Sequence, residues 1–295
     1  MSKFFKALEQ AEQEQAPRRH TAPSEPTSAR GPAVPETVPS RALQSALELP
    51  RGVPTGLEEH LVSLLAPTSF EAEQYRALRH LIEQLHKSTD LSVVAVSSPD
   101  AADGKTLTAI NLAGALAQAP DARVLLVDAD FRGAAVAARF GFADRAGPGL
   151  VGAILDASLT LEAVAHVRPH LNLSVLPAGR LPSAPYEVLK SPRVGELLAE
   201  ARRRYDYIIL DTPPLVPVPD CSVIGKWVDG FLIVVTAHRT ARKLLEEALN
   251  VTESAKIVGL VFNGDDRHLS RGSYGSYASR RSSHRNGRRQ TASDR

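Results

Sequence analysis

The segment 98–106, SPDAADGKT, constrains the fold of this chain more than any other. It follows the apolar run 91–96 and precedes a helical pattern over 107–117. A strand that turns sharply into a helix leaves backbone N–H groups directed at one point, and the helix dipole adds positive potential there. Phosphate oxygens bind at such a point. The segment therefore predicts a phosphate-binding loop and, with it, a nucleotide-binding protein.

The last residues of this loop indicate how phosphate and metal would be held. In a loop that ends GK[ST], the lysine reaches the outer phosphates and the hydroxyl holds Mg²⁺, and these roles fall to Lys105 and Thr106. The match to the full pattern is partial. Pro99 stands where the pattern has its first glycine, and Ala102 stands where related loops often have another.

Three aspartates follow two further apolar runs. Asp128 and Asp130 come at the end of the run 124–127, and Asp211 ends the run 207–210. Each is, taken alone, a common turn or capping residue. Ligands of an open parallel sheet collect at the carboxyl ends of its strands, however, and these acids would meet the loop lysine there. The combination favours a nucleotide site over three unrelated turns.

Apolar runs alternate with helical patterns along the globular part of the chain. Continuous apolar runs are typical of strands buried on both faces by crossover helices. The chain is therefore predicted to be an α/β protein with a doubly wound, mostly parallel sheet. The predicted strands are 91–96, 123–128, 171–176, 207–210, 231–236 and 257–262, and the predicted helices include 68–86 with a Thr68/Glu71 capping box, 187–204 and 240–250.

Composition divides the chain into four parts. Residues 1–16 have helical spacing and are predicted to form a short docking helix or, alternatively, a fraying turn. Residues 17–56, rich in proline, are predicted to be a disordered linker. The catalytic domain is expected to cover 57–266, and the basic, serine-rich segment 267–295 is predicted to be a disordered tail.

The tail charge has two interpretations, attraction to anionic surfaces or simple solubility. No apolar run approaches the roughly 20 residues that a bilayer-spanning helix needs, and no signal-peptide pattern occurs at the start. These patterns predict a cytoplasmic protein. The single cysteine, Cys221, excludes an intrachain disulfide and zinc-ligand spacing.

Three segments carry a resemblance to a known family. SSPDAADGKTLTAINLA, VLLVDADFR and YIILDTPP resemble the P-loop, the second acidic Walker-type motif and the Walker B motif of bacterial tyrosine kinases, which accompany capsule and exopolysaccharide export. The likeness extends over about 67–280. It implies a P-loop NTPase of the deviant Walker, SIMIBI-like type. The partitioning ATPases of the ParA and MinD kind have a second lysine five residues before the loop lysine, where this chain has Asp100, so that branch is disfavoured.

The resemblance also implies a site and an activity: ATP and Mg²⁺ as cofactors, and transfer of the γ-phosphoryl group to C-terminal tyrosines of another copy. Asp130 is the candidate acceptor for the phenol proton, with a second Mg²⁺ role as the alternative, and Arg132 would steady developing charge. The predicted nucleotide-binding residues are Asp103, Gly104, Lys105, Thr106, Leu107 and Asn263, the predicted metal-site residues are Thr106, Asp128 and Asp211, and the predicted phosphoacceptors are Tyr274 and Tyr277.

Partners are implied in the same way. Glu73, Arg76 and Arg79 resemble the family's ExxRxxR helix and would form the contact of a ring-like homo-oligomer; on spacing alone they are a solvated salt-bridge ladder. A membrane-bound polysaccharide chain-length protein, or co-polymerase adaptor, would hold the kinase at the inner face of the plasma membrane. No specific nucleic acid is expected. Two alternatives remain open: an ATP-operated switch without kinase activity, and a degenerate ATPase that acts as a scaffold.

Overall fold

The structure is a computed structural model of the 295-residue chain and describes residues 57–143, 146–168 and 171–264. The predicted short helix over 1–16, the linker over 17–56 and the basic tail over 267–295 lie outside the described residues and stay predictions. Among the described helices, none is long and apolar enough to cross a membrane.

A seven-stranded sheet forms the centre of the domain. Its strand order is β3-β4-β2-β5-β1-β6-β7, and all neighbours are parallel except the antiparallel pair β3 and β4 at one edge. The doubly wound, mostly parallel α/β fold predicted from the sequence is confirmed. The strands are β1 Val93–Ser97, β2 Val124–Asp128, β3 His166–Arg168, β4 Leu173–Leu176, β5 Tyr207–Asp211, β6 Gly230–Thr236 and β7 Ile257–Asn263.

Helices cover both faces of the sheet, and each face has its own apolar core. The helices are α1 Val62–Leu65, α2 Phe70–Thr89, α3 Lys105–Leu116, α4 Val136–Arg139, α5 Gly149–Leu155, α6 Leu161–Val164, α7 Pro185–Leu189, α8 Pro192–Arg204, α9 Asp220–Ile224 and α10 Arg242–Val251, with a 3₁₀ turn over Ser254–Lys256.

The central strands are continuous apolar runs because they are buried on both faces. Every residue of β1, β2 and β5 is buried, including the aspartates at the ends of β2 and β5. Helix α3 is almost entirely buried as well, since it lies between the sheet and the helices α1 and α2. The loop before α3 is therefore anchored at both ends to buried elements.

Three details differ from the sequence prediction. The predicted capping box of Thr68 and Glu71 is wrong: the N-cap is one residue later, at Ser69, whose hydroxyl accepts from Ala72 N at 3.1 Å, and α2 begins at Phe70. The helix predicted over 187–204 is two helices, because proline cannot continue an α-helix and Pro192 begins α8 after a Ser191 cap. The short edge strand β3 was not predicted, since three residues carry too little periodicity.

Candidate active site

The loop between β1 and α3 meets the helix at Gly104. Gly104 caps α3 with a φ of 93°, which favours glycine. A Cβ at this position would overlap the side-chain amide of Asn263, which donates to Asp103 O at 3.0 Å. The last strand thus approaches the loop closely, and both this contact and the positive φ favour glycine at 104.

The amides at the start of α3 precede the first helical hydrogen bond. The first helical hydrogen bond runs from Thr108 N to Gly104 O at 2.9 Å. The N–H groups of Lys105, Thr106 and Leu107 come before it, in the turn where helical amides have no intrahelical acceptor. They and the dipole of α3 favour an anion at this end of the helix.

Lys105 is buried and lies between two carboxylates. Its Nζ donates to Asp130 Oδ2 at 2.6 Å and lies 3.7 Å from Asp211 Oδ1, and it is 3.4 Å from the Thr106 hydroxyl. Burial alone would lower the pKa of Lys105, but the charges of Asp211 and Asp130 outweigh it and raise that pKa. The lysine is therefore a fixed positive charge at the start of α3.

Asp128 is anchored by backbone amides. Its two carboxylate oxygens accept from Asp130 N at 3.3 Å and from Val136 N at 3.1 Å, the latter at the start of α4. Burial, and after it the charge of Asp211, raises the pKa of Asp128 to about 7. The sheet register places Asp128 directly beside Asp211 on the neighbouring strand. The predicted meeting of the strand-terminal acids is therefore observed.

Asp211 is fully buried, and neither of its carboxylate oxygens accepts a hydrogen bond of ordinary length from a described residue. Burial raises the pKa of Asp211 to about 6, against the lowering effects of Lys105 and of the nearby Thr106 hydroxyl. Buried polar oxygens without partners are costly. These oxygens accept no hydrogen bond within the described part of the chain and have Lys105 as their nearby charge, at 3.7 Å, so they fit a hydrated cation whose water ligands would donate to them.

The donor set matches Mg²⁺ held together with phosphate. Mg²⁺ usually keeps several waters and binds through one or two carboxylates plus phosphate oxygens. Within the described ranges no three His, Cys, Asp or Glu side chains form a metal site by themselves. Thr106, Asp128 and Asp211 could supply oxygen ligands or hydrogen-bond acceptors to such an ion beside those of a phosphate.

Asp130 and Arg132 follow β2 and are already engaged. Asp130 Oδ1 accepts from the backbone amides of Arg132 at 3.1 Å and Gly133 at 3.0 Å, while Oδ2 pairs with Lys105. The Arg132 guanidinium forms two bonds to Asp220, at 2.8 and 3.0 Å. Asp220 is fully buried, and the sequence analysis does not predict it as part of the site. Its one sequence signal is that it is an acid within the largely apolar segment after β5.

The side chain of Asp103 faces the protein. Its Oδ1 accepts from the hydroxyls of Thr236 and Thr240, at 2.8 and 2.7 Å. Arg239, in the same turn, donates to Ala102 O. The sequence analysis predicts Asp103 as a nucleotide-binding residue and does not predict a role for Thr236, Thr240 or Arg239.

The ExxRxxR residues contact their own domain. Glu73 and Arg76 form an ion pair on α2, as a salt-bridge ladder would. Arg79 pairs with Glu83 at 2.6 Å instead and donates to Ala115 O at 3.0 Å, in the last turn of α3. A contact with another copy stays a prediction, and the phosphoacceptors Tyr274 and Tyr277 lie outside the described residues.

Fold and loop together define a P-loop NTPase domain. A family model described as an AAA domain matches residues 91–256. The tyrosine-protein kinase YwqD of Bacillus subtilis is 32% identical over 223 residues, which are 74% of this chain and 92% of YwqD. The kinase domain of the Escherichia coli tyrosine kinase ETK superposes with a TM-score of 0.65 at 28% identity, over 77% of this chain and 88% of that domain.

Some relatives are much longer. The succinoglycan biosynthesis transport protein ExoP of Rhizobium meliloti is 31% identical over 206 residues, which are 68% of this chain but only 26% of ExoP. The chain thus corresponds to nearly all of YwqD and to about a quarter of ExoP. It belongs to the bacterial tyrosine kinase family.

Proposed function

We propose that this protein is an ATP-dependent tyrosine autokinase that transfers the γ-phosphoryl group of ATP to Tyr274 and Tyr277 of another copy and so regulates exopolysaccharide or capsule polymerisation and export. The observation that carries the proposal is the position of Lys105 Nζ, 2.6 Å from Asp130 and 3.7 Å from Asp211, at the N-terminus of α3. An anion binding there would be met by the lysine, the helix amides and the metal-binding acids together.

Binding and orientation are assigned to the loop. The amides from Gly104 to Leu107 hold the β- and γ-phosphates, and Lys105 neutralises the charge of the outer phosphate. Thr106 and Asp128 would hold Mg²⁺ directly or through water, and Asp211 would orient the water bound to it. When bound, the ion neutralises negative charge on the phosphates.

Proton transfer is assigned to Asp130. A tyrosine hydroxyl, with a pKa of about 10, is protonated at neutral pH and needs an acceptor as its oxygen attacks phosphorus. In the structure Asp130 Oδ2 pairs with Lys105. When Lys105 turns to phosphate, that oxygen becomes available to the phenol proton; the new O–P bond forms as the bond to ADP breaks. Arg132 follows two residues later and would steady the developing charge.

Labelled MgATP tests this proposal directly. Purified full-length protein should acquire label on Tyr274 or Tyr277, and Lys105→Met should abolish labelling. Lys190→Met is the matched control, because Lys190 is half-exposed and pairs with Glu187 on α7, outside the loop. Label that persists in Lys105→Met, or appears only at other positions, would contradict the assigned mechanism.

An ATP-operated switch without kinase activity is the second candidate. Pro99 and Ala102 replace glycines in the loop, and their Cβ atoms limit how closely phosphate approaches. A switch would release free phosphate from ATP and leave the tyrosines unlabelled in the same experiment. A degenerate scaffold would bind no nucleotide at all.

Transfer between copies requires self-assembly, which we assign to a ring-like homo-oligomer with Glu73, Arg76 and Arg79 at the contact. Glu73 and Arg76 are about half-exposed and available to a neighbour. Glu73→Lys should reduce the mass measured by light scattering without loss of fold. Glu246→Lys is the matched control, since it breaks an i,i+4 pair with Arg242 on α10 instead. Unchanged mass in Glu73→Lys would remove this surface from the assembly.

The proposed membrane partner is a polysaccharide co-polymerase adaptor that holds the kinase at the inner face of the plasma membrane. The name of ExoP, a transport protein of which this chain matches about a quarter, supports such a link. Membrane fractionation with and without the co-expressed adaptor tests it. The kinase should move to the membrane fraction only with the adaptor; no specific nucleic acid is involved.

A further inference from the structure

A buried carboxylate inside the phosphate loop accepts hydrogen bonds from a distant turn. Asp103 is only 2% exposed, and its Oδ1 accepts from Thr236 Oγ1 at 2.8 Å and from Thr240 Oγ1 at 2.7 Å. Hydrogen bonds to a charged acceptor are the stronger kind, and a buried carboxylate without them is costly. The two hydroxyls therefore fix where Asp103, and the loop that carries it, can lie.

Arg239 of the same turn holds the residue before Asp103. Its guanidinium donates to Ala102 O and to Thr236 Oγ1, the latter at 3.1 Å, and lies 3.6 Å from Asp103 Oδ1. Ala102 has a φ of 63°, in the left-handed region that disfavours residues with a Cβ. The contact thus stabilises a conformation that alanine adopts at a cost.

The turn 236–240 is also held by two hydrogen bonds of its own. Thr236 N donates to Thr240 Oγ1 at 2.9 Å, and Thr240 N donates to Thr236 O at 3.0 Å. The Thr240 hydroxyl therefore accepts from its own turn and donates to Asp103. It joins the two segments through one oxygen atom.

We propose that the turn 236–240, which we name the β6 clamp, positions the phosphate loop for nucleotide, with Thr236 and Thr240 as positioning residues. Ala102 of the loop has a strained backbone with a φ of 63°, and the β6 clamp holds the loop in one conformation before nucleotide arrives. Preorganisation of this kind raises affinity because ordering is not required at binding. The inference rests on the proposed function only in that the loop binds nucleotide phosphates.

Calorimetric titration with MgADP tests the β6 clamp. Thr240→Val removes the hydroxyl and keeps the branched shape, and it should weaken MgADP binding about tenfold, as the loss of one or two hydrogen bonds to a charged group implies. Thr240→Ser keeps the hydroxyl and should restore affinity. In the kinase assay the Thr240→Val change should raise the KM for ATP and leave kcat nearly unchanged.

Thr252→Val is the matched control. Thr252 is also buried and donates its hydroxyl to Ala248 O at 2.9 Å in α10, outside the loop. It should lower stability by a similar extent and leave MgADP affinity unchanged. Equal affinity in Thr240→Val and wild type would overturn the proposal, as would equal losses in Thr240→Val and Thr252→Val.

Hydrogen exchange of the nucleotide-free protein separates the β6 clamp from the proposed function. Amides of 100–104 should exchange faster in Thr240→Val than in wild type, whether or not nucleotide binds. A wild type that binds no MgADP would refute the proposed function, while faster exchange in the variant would still support the β6 clamp. Unchanged exchange at the amides of 100–104 would refute the β6 clamp.

Discussion

The amino group of Lys105 lies 3.7 Å from a carboxylate oxygen of Asp211. Lys105 is also paired with Asp130, and Asp128 lies beside Asp211 in the sheet register. Three carboxyl groups therefore cluster around one buried cation. Such a cluster is electrostatically unbalanced until another cation arrives. Repulsion among these carboxyl groups is therefore expected to lower the free energy of unfolding of the nucleotide-free domain.

Replacing Asp211 should separate stability from binding. Asp211→Asn removes one of three clustered carboxyl groups that share Lys105, and its oxygens accept no hydrogen bond from a described residue, so the free energy of unfolding of the nucleotide-free protein should rise by about 1 kcal/mol. The stabilisation by MgADP, about 2.7 kcal/mol at a concentration of 100 Kd, should disappear. Thermal unfolding with and without MgADP measures both. Asp206→Asn, which breaks a pair with Arg123 at 2.7 Å, should keep the nucleotide effect; a destabilised Asp211→Asn variant would contradict the argument.

The pair of Arg132 and Asp220 should have a large structural effect. Arg132→Met leaves the fully buried Asp220 carboxylate without its guanidinium, and the expected loss is about 2 kcal/mol, less than for a fully buried pair because Arg132 is 40% exposed. Arg132→Met/Asp220→Asn should recover part of this loss. Urea unfolding of the two single variants and the double variant gives the coupling. Additive losses would mean that the pair contributes little to stability.

Ala102→Gly should stabilise the protein. Alanine at a φ of 63° is strained by about 1 to 2 kcal/mol, and glycine relieves this while losing some of the gain through a more flexible unfolded chain. We expect a net increase of about 0.5 kcal/mol in the free energy of unfolding. Ala199→Gly, at an exposed position inside α8, is the opposite case and should cost about 1 kcal/mol. Losses in both variants would show that Ala102 is unstrained.

Acid should remove the contribution of Asp229. Its carboxylate accepts from the Ser92 and Val93 amides, each at 2.8 Å, and from Arg202. Burial would raise the pKa of Asp229, but Arg202 and the two amides outweigh it and hold that pKa below its usual value. A lowered pKa stabilises the folded state above the unfolded value of about 3.9 and stops doing so as the pH falls through the folded value.

Asp229→Asn should therefore be less stable than wild type by about 2 kcal/mol at pH 7, and the difference should shrink below about pH 4. Urea unfolding across this pH range measures it. A difference that is constant down to low pH would mean that the charge of Asp229 is not what stabilises the sheet end.

Much of the site followed from local pattern. The loop ending in Gly104, Lys105 and Thr106 was predictable because strand, turn and helix follow one another in sequence. Asp128 and Asp211 were predictable because each ends a buried apolar strand, and parallel strands end at one edge of the sheet. Errors occurred where one residue decides the outcome, as at the Ser69 cap of α2 and the Pro192 break before α8.

The sequence by itself determined six of the seven strands, the doubly wound sheet and the sheet edge that carries the lysine and the acids, because burial produces local patterns of apolar residues. Only the tertiary structure decided that Asp103 is held by Thr236 and Thr240, and that Arg132 pairs with a buried Asp220. These bonds join segments far apart in the chain. These hydrogen-bond partners depend on how the loops pack together at the sheet edge, and local sequence patterns do not encode that packing.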